Sequence, residues 1–279
     1  MRKDHRALVS RHAIWAACAL GAALFLNLSA CSSSGSKTST AAGFRSDIVT
    51  ASDEPEGRKR ARIRLELAVG YFEKGQTTVA LDELKLALTA DPNFAQAHNM
   101  KGLIYMRLNE PNLAEDSFRR ALALDGQDAG TMHNLGWMYC QQGRFTESAQ
   151  SFNQALANPQ YTDRAKTWMT QGLCQMKAGQ LMDAESSLSR AYELDPSNPV
   201  SAYNLASLLF KRGEFKRAQF YVRQVNNGEL ANSESLWLGA QTERRLNNSE
   251  GTQQLGSQLK KRFPQSREAA LFDRGAFND

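Results

Sequence analysis

One spacing limits what this chain can fold into more than any other feature of it. Small residues stand at Ala68, Gly102, Gly136, Gly172 and Ala206, at steps of 34, 34, 36 and 34. Tyr71, Tyr105 and Tyr139 follow three positions later in three copies, and a second small residue stands at Ala80, Ala114, Ser148, Ala184 and Ala218. Leu84, Phe118, Phe152, Leu188 and Val222 then supply a large apolar group, and Ala87, Ala121, Ala155 and Ala191 a last small one. A small residue at a helix crossing lets a large one from the facing helix enter the gap, so the two helices approach closely. One such pair buries too little to stand alone, and at least three must stack. The spacing therefore predicts an array of helix pairs.

This pattern, closed in several copies by a break such as Asp91-Pro92 or Asp195-Pro196, resembles the tetratricopeptide repeat. The resemblance implies an all-α fold, a right-handed superhelix of antiparallel helix pairs with five clear copies and a degenerate sixth. Helix pairs are expected at about 58–74 and 77–90, 95–108 and 111–124, 129–142 and 145–157, 164–178 and 181–194, and 199–212 and 215–226. The two extra residues of the 36-residue step fall in the irregular stretch Asn158-Pro159-Gln160-Tyr161-Thr162-Asp163. The sixth copy begins near Asn232, with Gly239 at the first small position and Thr242, Gly251 and Gln258 where tyrosine and alanines are expected. Polar substitution there suits the outer side of a terminal repeat, which no neighbour covers. A short last helix is expected over 266–272.

The amino-terminal segment accounts for most of the charge. The net charge is +5, and residues 1–30 contribute +3 of it through Arg2, Lys3, Arg6 and Arg11 against Asp4. The rest is nearly neutral, so no nucleic-acid partner is expected. Residues 13–26 are free of charge, a run short for a bilayer span and of the length of a signal-peptide core. It ends in Leu28-Ser29-Ala30-Cys31. One reading is an ordinary signal cut at Ala30 that leaves Cys31 a free thiol. The other follows from resemblance to the bacterial lipobox and makes Cys31 the lipidated first residue of the mature chain; Ser32 after it then favours the outer membrane, with the chain facing the periplasm. The polar stretch that follows reads as a disordered tether. The domain reading is a signal peptide at 1–30, a lipidated flexible linker at 31–57, the repeat domain at 58–265 and a carboxy-terminal tail at 266–279.

Catalytic chemistry is hard to find. There is no HExxH, CxxC or Gly-x-Ser-x-Gly, and no glycine-rich phosphate loop. His98 and His133 fall on first helices of adjacent repeats, where such residues are far more often packing or surface groups than metal ligands. Neither a metal nor a cofactor is expected, and the chain does not read as an enzyme. Cys140 and Cys174 also lie on neighbouring first helices, with registers that differ by two positions. That offset predicts two buried free thiols rather than a bridge.

What remains is a surface. In the repeat family, first-helix positions 2, 5, 9, 12 and 13 line a concave groove. The resemblance maps a protein-binding groove onto Leu65, Val69, Phe72, Leu103, Met106, Trp137, Met176 and Phe210, with Met169, Leu173 and Tyr203 beside them and Arg107, Lys177 and Lys211 at its edges. An apolar strip on a surface marks a partner site, unless its members are buried between repeats.

The lipobox, the polar stretch, the repeats and the segments Tyr161-Thr162-Asp163-Arg164 and 256–264 (GSQLKKRFP) together resemble the type IV pilus biogenesis and stability lipoproteins, or pilotins, over essentially the whole chain. Such a protein binds the pilus secretin and helps it reach or assemble in the outer membrane, so that pili extrude and cells twitch. Thr162 stands where that family often has proline. The alternatives are another outer-membrane assembly lipoprotein, such as one of β-barrel insertion, and a scaffold or regulator of cell-wall synthesis.

Overall fold

The computed structural model describes residues 53–277. The segment expected to be a signal peptide, Cys31 and most of the expected linker lie outside the described residues. The described residues form thirteen helices and no strand: α1 (Glu56–Glu73), α2 (Thr77–Ala90), α3 (Ala95–Arg107), α4 (Pro111–Leu124), α5 (Ala129–Gln141), α6 (Phe145–Ala157), α7 (Arg164–Lys177), α8 (Leu181–Leu194), α9 (Pro199–Lys211), α10 (Phe215–Asn226), α11 (Ser233–Arg245), α12 (Ser249–Arg262) and α13 (Arg267–Asp273). They pair in order as tetratricopeptide repeats, each second helix also packing on the first helix of the next repeat.

The first small residue of each repeat, taken as position 8, does what its size requires. A Cβ added to Gly102 would stand 2.5 Å from the Phe118 ring, one added to Gly136 2.9 Å from Phe152, and one added to Gly172 2.7 Å from Leu188. Phe118, Phe152 and Leu188 are fully buried in those gaps, each contributing about 1.5–3 kcal/mol of apolar burial. Position 15 ends every first helix in the left-handed region: Gly75, Asn109, Gly143, Gly179, Gly213 and Asn247 have φ of 74°, 58°, 75°, 75°, 80° and 58°. In the third repeat the closing bonds run from Gly143 N to Cys140 O at 3.1 Å and from Arg144 N to Tyr139 O at 2.9 Å, so the chain reverses at once into α6.

The sixth repeat sits one residue later than its sequence suggests. Asn232 caps α11 with a reciprocal hydrogen-bonded box to Ser235, which makes Ser233 the counterpart of Pro199. The small position is therefore Ala240, fully buried, and Thr252 and Leu259 are buried where Gly251 and Gln258 are not. Gly239 made the earlier register attractive because it is small, but the cap decides the phase. Gly256 admits the Phe272 ring, and Leu271 and Phe277 close the end of the array over Trp237.

The cysteines form a disulfide, with Cα atoms 5.8 Å apart. The expectation of free thiols fails for a geometric reason. Residues that face each other across a stack must point forward from one helix and backward from the next. Two positions turn a helix by about 200°, so the offset between position 12 (Cys140) and position 10 (Cys174) aims the thiols at each other. His133 and Thr167, at positions 5 and 3, meet by the same rule: His133 Nδ1 lies 2.8 Å from Thr167 Oγ1, which is 2.8 Å from the Tyr161 hydroxyl. The irregular 158–163 stretch thus ties into the joint between the third and fourth repeats. His98 instead meets the Pro92 carbonyl through Nε2 at 3.0 Å.

Two outcomes follow from this packing. Gly136→Leu should lower stability by at least about 1–3 kcal/mol, read from chemical denaturation, because the Phe152 ring has nowhere to go. Burial, assisted by Lys166, pushes His133 down to about 4 from its ordinary 6.5. The unfolded chain then takes up a proton that the native one refuses, so stability is complete above about pH 6.5 and falls as pH drops towards about 4. His133→Gln should flatten the stability curve between about pH 6.5 and 5, above the range in which depressed carboxylates such as Glu115 and Glu243 add their own loss.

Candidate protein-binding groove

Positions 5, 9 and 12 of a first helix share one stripe, since steps of four and three residues return to one face. Adjacent first helices α1, α3, α5, α7 and α9 contact one another in sequence, which sets these stripes side by side. Leu65, Val69 and Phe72 come from α1, Leu103 and Met106 from α3, Trp137 from α5, Met176 from α7 and Phe210 from α9.

Seven of the eight are half-buried, and only Val69 is classed as exposed, at 36%. Each half-buried residue leans on a core at or beside an inter-repeat joint. Leu65 and Phe72 pack against the cluster around Ala68 and Leu84, and Leu103 bridges that cluster and the next, around Phe118. Met106 packs on Leu135 and Met138's cluster, Trp137 on the disulfide and Phe152, Met176 on Leu205's cluster, and Phe210 on two clusters at once. The stripe is therefore the outer layer of the core, with one side of each residue turned out. Beside Met106 it opens into a recess of about 230 Å³ lined by Asn109, Pro111, Met138, Gln141 and Gln142.

Two of the edge cations have partners already. Arg107 lies 3.7 Å over the Phe72 ring and donates to the Phe72 carbonyl at 2.7 Å. Lys177 donates to the carbonyls of Cys140 and Gln141, both at 3.3 Å. Both occupy position 13 and reach carbonyls in the last turn of the preceding first helix, adding a second hydrogen bond to Phe72 and Cys140, which already accept from Gly75 and Gly143. They fix the joints as well as the rim.

The sequence reading passed over the polar joints behind the groove. Glu115 accepts hydrogen bonds from Arg144 at 2.7 Å, Arg119 at 2.7 Å and the Tyr139 hydroxyl at 2.9 Å. Burial favours its neutral form, but the three donors outweigh that and hold the carboxyl below the ordinary range. Glu243, almost wholly buried, is treated alike: against its desolvation, Gln219, Asn248 and Arg223 depress it. In the corrected register Tyr139 and Glu243 both hold position 11, facing positions 21 and 25 of the preceding repeat. Arginine at position 25 of both preceding repeats, Arg119 and Arg223, was the legible signal. Among the described residues no cluster of three or more histidine, cysteine or acidic side chains is arranged for a metal ion.

Two stretches, residues 93–160 and 175–234, match family models of the tetratricopeptide repeat. The chain is 29% identical over 218 residues to the type IV pilus assembly protein PilF of Pseudomonas aeruginosa, covering 78% of this chain and 86% of that protein. A structure from the functional characterisation of that PilF superposes with a TM-score of 0.70 over 79% of this chain and 100% of its own. The crystal structure of PilW, described as a widely conserved type IV pilus biogenesis factor, superposes with a TM-score of 0.67 at 29% identity, over 75% of this chain and 96% of its own.

Proposed function

Because this chain is a tetratricopeptide-repeat protein homologous to the type IV pilus proteins PilF and PilW, we propose that it is a pilotin: a lipid-anchored scaffold of type IV pilus biogenesis that binds the secretin and assists its assembly in the outer membrane. The observation that carries the reading is the apolar stripe from Leu65 to Phe210 along the first helices, interrupted at Asn99, His133 and Ser207, together with the likeness to pilus proteins over most of the chain. The groove takes an apolar segment of the secretin, in helical or extended form, whose large side chains fill spaces such as the recess beside Met106. Each side chain fully buried there contributes about 1.5–3 kcal/mol. The first two repeats are the favoured place, since Val69 is the groove residue with the most open surface. Cys31 carries the anchor in this reading; among the described residues no helix is long and apolar enough to cross a membrane.

Half-burial shapes the test. Phe72→Glu with Met106→Glu removes two groove side chains but also disturbs the cores they lean on, so binding must be read beside a melting curve. Val69→Glu changes the most exposed of the eight, which packs on none of the core clusters. We expect both variants to lose secretin in co-purification from native membranes, Val69→Glu with its melting temperature unchanged. If Val69→Glu and the folded double variant both retain secretin and its multimers, the groove of these repeats is not the site.

The anchor is tested separately. Cys31→Ser should yield a folded protein that a high-salt wash releases from membranes into the soluble periplasmic fraction, without incorporated palmitate. Membrane retention of that variant, with no label in the parent chain, would rule the anchor out.

A further inference from the structure

Positions 3, 7 and 10 of a first helix face the preceding repeat, and in the later repeats the array buries them, except for the half-buried Lys101 at position 7. At position 3, Ala97, Thr131, Thr167, Ser201 and Ser235 are at most 1% exposed, and at position 10, Ile104, Met138, Cys174, Leu208 and Thr242 at most 5%. The first repeat has no predecessor. Its residues there are Ile63, Leu67 and Gly70, and Ile63 and Leu67 are 53% and 43% exposed. Nothing stands within 4 Å of a Cβ placed on Gly70. Val79 of α2 joins them at position 19, a position that stays open in later repeats as well, Leu113 being 45% exposed. In the fifth repeat that position is Arg217, which reaches back 2.7 Å to Glu185 of the fourth. The opposite end of the array is covered by α13 and Phe277. This end violates the expectation that a terminal repeat turns polar residues outward.

Cations frame the patch. On α1, Arg60 and the capping residue Lys74 follow the same backward-facing stripe as Ile63 and Leu67 at helical spacing; neither forms an ion pair within 4.0 Å among the described residues, and Glu56, one turn before Arg60 on that stripe, is paired with Lys59. Arg64 is balanced across the two helices by Glu83 at 2.8 Å. An apolar patch framed by cations repels a second copy of itself and fits an anionic, apolar plane. The polypeptide also enters the array at this end, Asp53 lying 22 residues after Cys31.

We propose that this open end of the first repeat docks on an anionic phospholipid surface, with Ile63, Leu67 and Val79 entering the headgroup region and Arg60 and Lys74 meeting lipid phosphates. The contact rests on the proposed anchor only for the membrane's proximity. It would orient the array on the membrane, which a lipid on Cys31 alone does not do.

The experiment uses the full chain carrying Cys31→Ser, so that no lipid contributes. Vesicles of phosphatidylcholine with and without phosphatidylglycerol are sedimented with it at low and high salt. Binding is expected to the anionic vesicles, weaker at high salt. Adding Ile63→Glu and Leu67→Glu should weaken it by about tenfold or more, and Arg60→Glu alone by roughly fivefold. All these chains share residues 1–52, so the differences read the face alone. Should the double variant misfold by circular dichroism, Arg60→Glu carries the test. The proposal is overturned if the parent chain ignores anionic vesicles, or if folded face variants bind as the parent does. It is also overturned if light scattering shows a parent dimer that Ile63→Glu with Leu67→Glu dissociates, since the face would then belong to a second copy. Loss of the anchor reading would show instead in the palmitate experiment and leave these outcomes unchanged.

Discussion

The seating of one large apolar side chain opposite a small residue in every helix pair is what the rest of the molecule depends on. Phe118 against Gly102, Phe152 against Gly136 and Leu188 against Gly172 bring paired helices so close that even one added carbon collides. That distance sets the angle at which each pair presents its next surface, and hence how the following first helix lands. A one-dimensional array has no distant contacts to correct an error at one crossing. Stability and shape are therefore decided at the same few atoms, repeated along the chain.

Between repeats the joints use different chemistry. The second and third repeats are joined by Glu115 with Tyr139 and Arg144, and the fifth and sixth by Glu243 with Gln219 and Arg223. The third and fourth are joined by a disulfide and the Tyr161–Thr167–His133 chain. That joint also absorbs the two extra residues of the 36-residue step. A covalent link and a buried polar chain hold the register where the repeat length departs from its norm.

The groove is built from the same residues as the joints. Phe72, Met106 and Trp137 lean on the core with one side and turn the other outward, where the proposed partner would meet it, while Arg107 and Lys177 are fixed by carbonyls of the preceding helix. A surface made this way is rigid before anything binds, so little entropy is lost in ordering it. The corollary is that binding to the proposed groove would share residues with stability, and Val69, the most exposed of the eight, separates the two best.

The second helices of the first five repeats, α2, α4, α6, α8 and α10, were legible residue for residue, because small and large residues recur at fixed helical positions and breakers mark the ends. Two features were not. The sixth repeat was misplaced by one residue because Gly239 and Ala240 are both small, and the choice lies in the Asn232–Ser235 cap, a hydrogen-bonded geometry. The cysteine pair was read as unbridged because equal register was taken to mean proximity. Sequence spacing determined the helices, their pairing and the stripe that turns outward, since these follow from periods along one chain. Only the tertiary structure decided which stripe positions are half-buried, which thiols meet and which apolar residues at the open end stay uncovered. Those depend on how one helix faces the next, and that relation is fixed by side chains meeting across a gap.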